Sequence, residues 1–222
     1  MTPYYQQDGI TIYHGDCREV LPSLSADLCI TDPPYNLGIE YGHGVDDDRP
    51  DYEQWCRMWF AQIHAPAIAL TPGVANVAMW CGVRRPEWII AWHKPAAMGR
   101  CPVGFNNWEP VLFYGEAKPN RGADVITAVI RPDASVEGHP CPKPERWALG
   151  LVTLLSDPDE TILDPFVGSG TTLVAAKRLG RKAIGIEIEE AYCEIAARRL
   201  MQGALPLEWM QDEPAERLET WV

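Results

Sequence analysis

Two stretches of the chain carry residue types whose spacing could do chemistry. The first is Thr31-Asp32-Pro33-Pro34-Tyr35-Asn36, directly after the apolar run Leu28-Cys29-Ile30. A short apolar run of this kind reads as a buried strand, and open α/β sheets bind ligands beyond the carboxyl ends of their strands. A carboxylate, a stiff di-proline and an aromatic ring would therefore meet whatever binds there. The second stretch is Asp164-Pro165-Phe166-Val167-Gly168-Ser169-Gly170-Thr171-Thr172. Its glycines let backbone approach a ligand closely, and the helix start that follows offers unpaired N–H groups. Glu187 ends the next apolar run, 23 residues after Asp164. A carboxylate at that place suits ribose hydroxyls. The pair of motifs points to a nucleoside cofactor beside a second, reactive strand end.

Short strands alternating with helices must position these ends, which predicts a mostly parallel sheet with helices on both faces. Strands are expected at 9–14, 27–31, 74–80, 88–92, 110–114, 161–164 and 182–186. Helices are expected at 18–24, from Tyr52 towards Leu70, and at 144–155, 171–179 and 189–201. Residues 36–52 read as a polar, acidic loop and 116–138 as an irregular one. One catalytic domain over 1–202 and an acidic tail over 203–222 complete the expected organisation.

The composition is that of an ordinary globular protein, with 46% hydrophobic and 23% charged residues. No apolar run approaches the roughly 20 residues of a membrane helix, and the first residues do not read as a secretory signal. Seven scattered cysteines without Cys-x-x-Cys suggest neither zinc nor disulfides, but free thiols in a cytoplasmic protein. His43 reads as a loop residue, and Asp46-Asp47-Asp48 as a solvated acidic run rather than a calcium loop. The net charge of −12 argues against a nucleic-acid partner. The acids are concentrated, however. Segment 36–53 sets six acids against Arg49, and 203–222 sets five against Arg217. Segment 84–146 holds nine Lys or Arg against seven acids, so a local basic face is available. Most tryptophans are expected in the core, and packing is also the preferred reading of Phe105 and Trp108.

Asp32 to Tyr35 and Asp164 to Thr172 together resemble motifs of the S-adenosylmethionine-dependent DNA amino-methyltransferases. The first matches the family's catalytic Asp-Pro-Pro-Tyr and the second its cofactor loop. Gly15-Asp16-Cys17 and His139-Pro140-Cys141-Pro142-Lys143-Pro144 resemble two further family elements. The resemblance spans about residues 9–200. The catalytic motif precedes the cofactor loop, as in the family's beta group. That order implies a Rossmann-like methyltransferase fold in circularly permuted form.

The resemblance implies a phage or bacterial enzyme of restriction-modification, without a metal, that acts on double-stranded DNA. It would transfer a methyl from S-adenosyl-L-methionine (AdoMet) to N6 of adenine, leaving S-adenosyl-L-homocysteine. Cytosine N4 is the alternative, less favoured because that group more often has Ser in place of Asp32. A catalytically silent AdoMet-binding or DNA-binding module is the remaining reading. The implied catalytic residues are Asp32, Pro33, Pro34 and Tyr35. An exocyclic amine is a poor nucleophile because its lone pair is delocalised into the ring. Asp32 and the Pro33 carbonyl would accept its two N–H groups and localise that pair, while Tyr35 stacks on the base. Cofactor contacts are implied for Asp16, Cys17, Thr31, Asp32, His139 and Lys143. They extend along the loop through Asp164, Pro165, Phe166, Gly168, Ser169, Gly170, Thr171 and Thr172, and to Glu187. Arg100, Lys118, Arg121 and Arg131 are the candidates for DNA contact, and 116–138 for target recognition. The resemblance also admits a homodimer.

Overall fold

A computed structural model describes residues 2–41, 47–95, 99–118, 122–130, 136 and 138–202. The expectations for His43, Asp46, Arg121, Arg131 and the tail 203–222 lie outside the described residues. The main sheet has nine strands. In chain order they are β1 (Tyr5–Gln7), β2 (Ile10–His14), β3 (Leu28–Thr31), β4 (Ala67–Leu70), β5 (Trp88–His93), β8 (Trp108–Gly115), β9 (Val125–Thr127), β10 (Thr161–Asp164) and β11 (Lys182–Glu187). Between β5 and β8, the strands β6 (Gly99–Cys101) and β7 (Gly104–Asn106) form a separate hairpin. The spatial order is β1-β2-β11-β10-β3-β4-β8-β5-β9. From β2 to β4 every neighbouring pair is parallel, and β8 runs against both its neighbours.

Strands buried on both faces read as unbroken apolar runs, and β3 and β4 do so at every position. Alternation then sorts their side chains. Leu28 and Ile30 point into a core with Trp147, Leu173 and Ala196, from α4 (Glu145–Leu155), α5 (Thr171–Arg178) and α6 (Glu190–Met201). Cys29 points into a second core on the other face. It holds Val20, Trp59 and Trp80, from α1 (Cys17–Val20), α2 (Tyr52–Phe60) and α3 (Val77–Val83).

The chain leaves β3 through α2 towards β4, and leaves β10 through α5 towards β11, on the opposite side. The neighbours β3 and β10 therefore flank a switch point, where an open α/β sheet forms its ligand crevice. β10 follows β3 by 130 residues yet pairs with it, so the cofactor-type loop and the di-proline turn emerge side by side.

Three expectations about elements need correction. Residues 74–80 are not a strand; they form a 3-10 turn, Val74–Asn76, running into α3. The expected helix from Tyr52 stops at Phe60, and Ala67–Leu70 is β4, a four-residue buried strand bounded by Pro66 and Pro72. Apolar runs this short carry no period that separates strand from helix. Segment 116–138 is not irregular throughout, because β9 lies within it as the sheet's edge.

Candidate active site

Four chain segments converge on an open cleft at the carboxyl ends of β2, β11, β10 and β3. Asp32 leaves β3 half-buried, and both of its carboxylate oxygens are engaged. The Tyr35 hydroxyl donates to Oδ1, and the Lys143 ammonium forms an ion pair with Oδ2. The same ammonium sits 5.2 Å from the centre of the Tyr35 ring. Burial pushes the Asp32 carboxyl above its ordinary range, while Lys143 and Tyr35 pull it back.

The turn is fixed by side chains from other elements. Tyr52 Oη donates to the Pro34 carbonyl at 2.7 Å, and Asn76 Nδ2 donates to that of Tyr35 at 2.9 Å. Asp47, only 4% exposed, accepts the backbone N–H groups of Asn36, Leu37 and Ile39 at 2.7, 3.1 and 3.0 Å. One carboxylate of the acidic segment thus holds the backbone of the turn's exit.

The glycine-rich loop is organised by Glu187 and Arg199. Glu187 accepts Gly168 N–H at 2.7 Å and Glu189 N–H at 2.9 Å. Arg199 of α6 donates from Nη1 to the Ser169 carbonyl at 2.6 Å and to Thr171 Oγ1 at 3.1 Å. Gly170 has φ +84° at the start of α5, and a Cβ there would lie 2.8 Å from that of Ala196. A side chain at that site would be both strained and crowded. Asp164 is 3% exposed, and its carboxyl accepts Phe166 N–H at 3.1 Å. Burial pushes that carboxyl up to about 8. Such a group is a ready partner for a cation entering the cleft.

Gly15 to Arg18 close one end, where Gly15 N–H donates to the Glu187 carbonyl at 2.9 Å. Asp16 caps α1 through Arg18 N–H at 2.9 Å and pairs with the Arg18 guanidinium. His139 lies opposite, its ring 4.6 Å from that of Tyr192 and 6.3 Å from that of Tyr41. Burial, then the charges of Lys143 and Arg199, lowers its pKa to about 4, so the imidazole is neutral at pH 7.

The family described as DNA methylase, N6/N4 type, matches residues 103–198. The type II methyltransferase M.ScaI of Streptomyces caespitosus is 27% identical, over 89% of this chain and 83% of its own. The structure of an M1.HpyAVI–SAM complex superposes with a TM-score of 0.67 at 25% identity, over 86% of this chain and 98% of the other. The cytosine-N4-specific PvuII DNA methyltransferase shares the fold, with a TM-score of 0.68 at 17% identity, over 95% of this chain and 93% of the other. The chain is similar to DNA amino-methyltransferases in both sequence and fold.

Most of the residues singled out from sequence by resemblance to this amino-methyltransferase family meet in the one cleft. Asp16, Cys17, Asp32, Pro34, His139, Lys143, Asp164, Pro165, Phe166, Gly168, Ser169, Thr171, Thr172 and Glu187 all line it. Thr31, Pro33, Tyr35 and Gly170 do not. Thr31 and Pro33 are buried beneath the turn, and Gly170 packs on Ala196. Tyr35 points its hydroxyl at Asp32 and lies against Gly73 and Lys143, so its ring serves Asp32 first. Sequence reading missed Asp47 and Arg199. Asp47 sits in a run of three aspartates, and Arg199 sits in Arg198-Arg199 near a helix end, where cations usually face water. No local pattern marks either one as buried.

Lys118 needs the largest correction. Its ammonium bridges Asp157 and Glu160, in the turn that leads into the start of β10. That turn lies at the amino end of the sheet, opposite the cleft, so Lys118 is not placed to touch a substrate there. Arg100 lies on the β6–β7 hairpin, between the end of β5 and the start of β8, and so at the cleft's end. Phe105 and Trp108 do not pack inside as expected; they are 59% and 44% exposed. Among the described residues no group of His, Cys, Asp or Glu could hold a metal, and no helix is long and apolar enough to cross a membrane.

Proposed function

We propose that the chain methylates the exocyclic N6 of adenine in double-stranded DNA, with AdoMet as methyl donor. The observation that carries the reading is the convergence of Asp32, Asp164 and Glu187 in one cleft at the switch point. The donor set suits AdoMet: a buried carboxylate for its ammonium, a second for ribose hydroxyls, and a glycine-rich loop close against them. Asp164, Glu187 and the loop from Phe166 to Thr172 would hold it. When bound, AdoMet supplies a methyl on a positively charged sulfur that is strongly electrophilic.

The chain's own work is positioning. Asp32 accepts from the target amine, with the Pro33 carbonyl as second acceptor, and draws the nitrogen's lone pair out of the ring. Tyr35 and Lys143 lock the carboxylate in place, so acceptance costs little rearrangement. The base must leave the duplex to reach Asp32. Adenine is favoured over cytosine because Asp32 stands where the N4 group more often carries Ser. The type II class of M.ScaI supports a restriction-modification setting. Nucleoside analysis of duplex DNA treated with the protein and AdoMet tests the reading. N6-methyladenine is expected. N4-methylcytosine would overturn the choice of base, and unmodified DNA would overturn the activity.

A further inference from the structure

Asp32 has a second carboxylate behind it. Lys94 follows β5 immediately and Glu109 is the second residue of β8, two strands that pair antiparallel beside β4. Both side chains are nearly buried, with 7% and 15% of their surface exposed, and Lys94 Nζ pairs with Glu109 Oε1. That ammonium also lies 5.2 Å from the centre of the Trp92 ring. The other oxygen, Oε2, lies 3.4 Å from Tyr35 Oη, whose proton is directed at Asp32 Oδ1. One hydroxyl therefore sits between two carboxylates, and each carboxylate has its own lysine, Lys143 on Asp32 and Lys94 on Glu109. A buried ion pair is seldom favoured for stability over apolar packing. Its place here, one hydroxyl away from Asp32, suggests a part in the chemistry.

We propose that Glu109, paired with Lys94, takes up through Tyr35 the proton that Asp32 receives in each methyl transfer. The inference rests on the methyl-transfer reading. Methyl transfer forms a nitrogen–carbon bond and breaks a sulfur–carbon bond, and it leaves the nitrogen with one proton too many. That proton passes to Asp32. Tyr35 Oη accepts it from Asp32 as its own proton moves to Glu109 Oε2. The tyrosine ends unchanged, Asp32 is again an acceptor, and Glu109 releases the proton to water through the 15% of its surface that is exposed. The groups that face this path are Lys94 just after β5, Asp32, Tyr35 and Tyr41 from the segment after β3, Cys141 and Lys143 from the segment before α4, and Asp164 at the end of β10.

The test compares first and later turnovers on duplex DNA, across pH, for wild type, Glu109→Gln, Tyr35→Phe and their combination. Glu109→Gln with Lys94→Gln removes both charges, so a fold defect from a lone buried lysine is separable. Both Glu109 variants should bind AdoMet as wild type does and complete the first turnover within a few fold. Later turnovers should slow by roughly tenfold or more, and recover as pH rises and hydroxide strips Asp32 directly. Tyr35→Phe should slow later turnovers too, and adding Glu109→Gln should not deepen that loss. Wild-type rates and pH profiles in both Glu109 variants would overturn the relay, as would losses that multiply in the combination. A wild type that transfers no methyl would instead overturn the methyl-transfer reading itself.

Discussion

Three of the cleft's carboxylates, Asp32, Asp164 and Glu187, differ in what surrounds them, and each predicts a different failure. Asp164 is buried with its carboxyl raised to about 8, so the folded chain keeps a proton there that an unfolded chain would lose near pH 4. The free protein should therefore lose stability as pH rises towards 8, because the unfolded state binds fewer protons in that window. A cationic ligand favours the ionised form. AdoMet should then bind with release of a proton, and its affinity should climb with pH up to about 8, at most tenfold per unit. Titration calorimetry in buffers of different ionisation enthalpy reads that proton directly, and Asp164→Asn should abolish both the release and the climb. Glu187 holds Gly168 and Glu189 N–H as well as facing the cleft. Glu187→Ala should thus weaken AdoMet by roughly tenfold or more, at about 1.5–3 kcal/mol per lost charged hydrogen bond. Saturated turnover should fall less. Lys143 was legible as part of a motif, but its pairing with Asp32 was not. The partners are 111 residues apart in sequence, and only the sheet's order brings them together.

At the scale of elements, the strand ends were legible because a buried parallel strand followed by a functional turn writes both parts in one short stretch. β3 with Asp32, β10 with Asp164 and β11 with Glu187 all read this way. β4 and β9 did not. Four and three residues are too few for a pattern, and their strand character comes from their neighbours. The loop after Asp32 shows the same limit. A run of aspartates suggests a solvated loop, yet Asp47 turns inward and organises three N–H groups. Asp47→Ala should loosen that loop without unfolding the sheet. Hydrogen exchange should quicken at Asn36, Leu37 and Ile39 while the strand amides stay protected. Turnover should fall with it, since Asn36 adjoins Tyr35. Unchanged exchange at those three amides would mean the carboxylate does not hold them.

At the scale of the whole molecule, a net charge of −12 gives duplex DNA little long-range attraction. Binding must come from close contacts at the cleft's end. Arg100 lies there and Lys118 lies at the opposite end, held by Asp157 and Glu160. Arg100→Ala should weaken DNA binding and flatten the dependence of log K on log salt by about 0.9, the share of one phosphate. Lys118→Ala should change neither, and equal effects from the two variants would place DNA elsewhere. The most direct measurement is transfer of labelled methyl from AdoMet to duplex DNA by wild type and Asp32→Ala, with AdoMet affinity measured beside it. On the proposed reading Asp32 acts mainly on the amine, so its loss should fall on the transition state. Label on DNA with wild type, almost none with Asp32→Ala, and affinities within a few fold of each other is the expected result. Equal label from both proteins, or none from wild type, would contradict it.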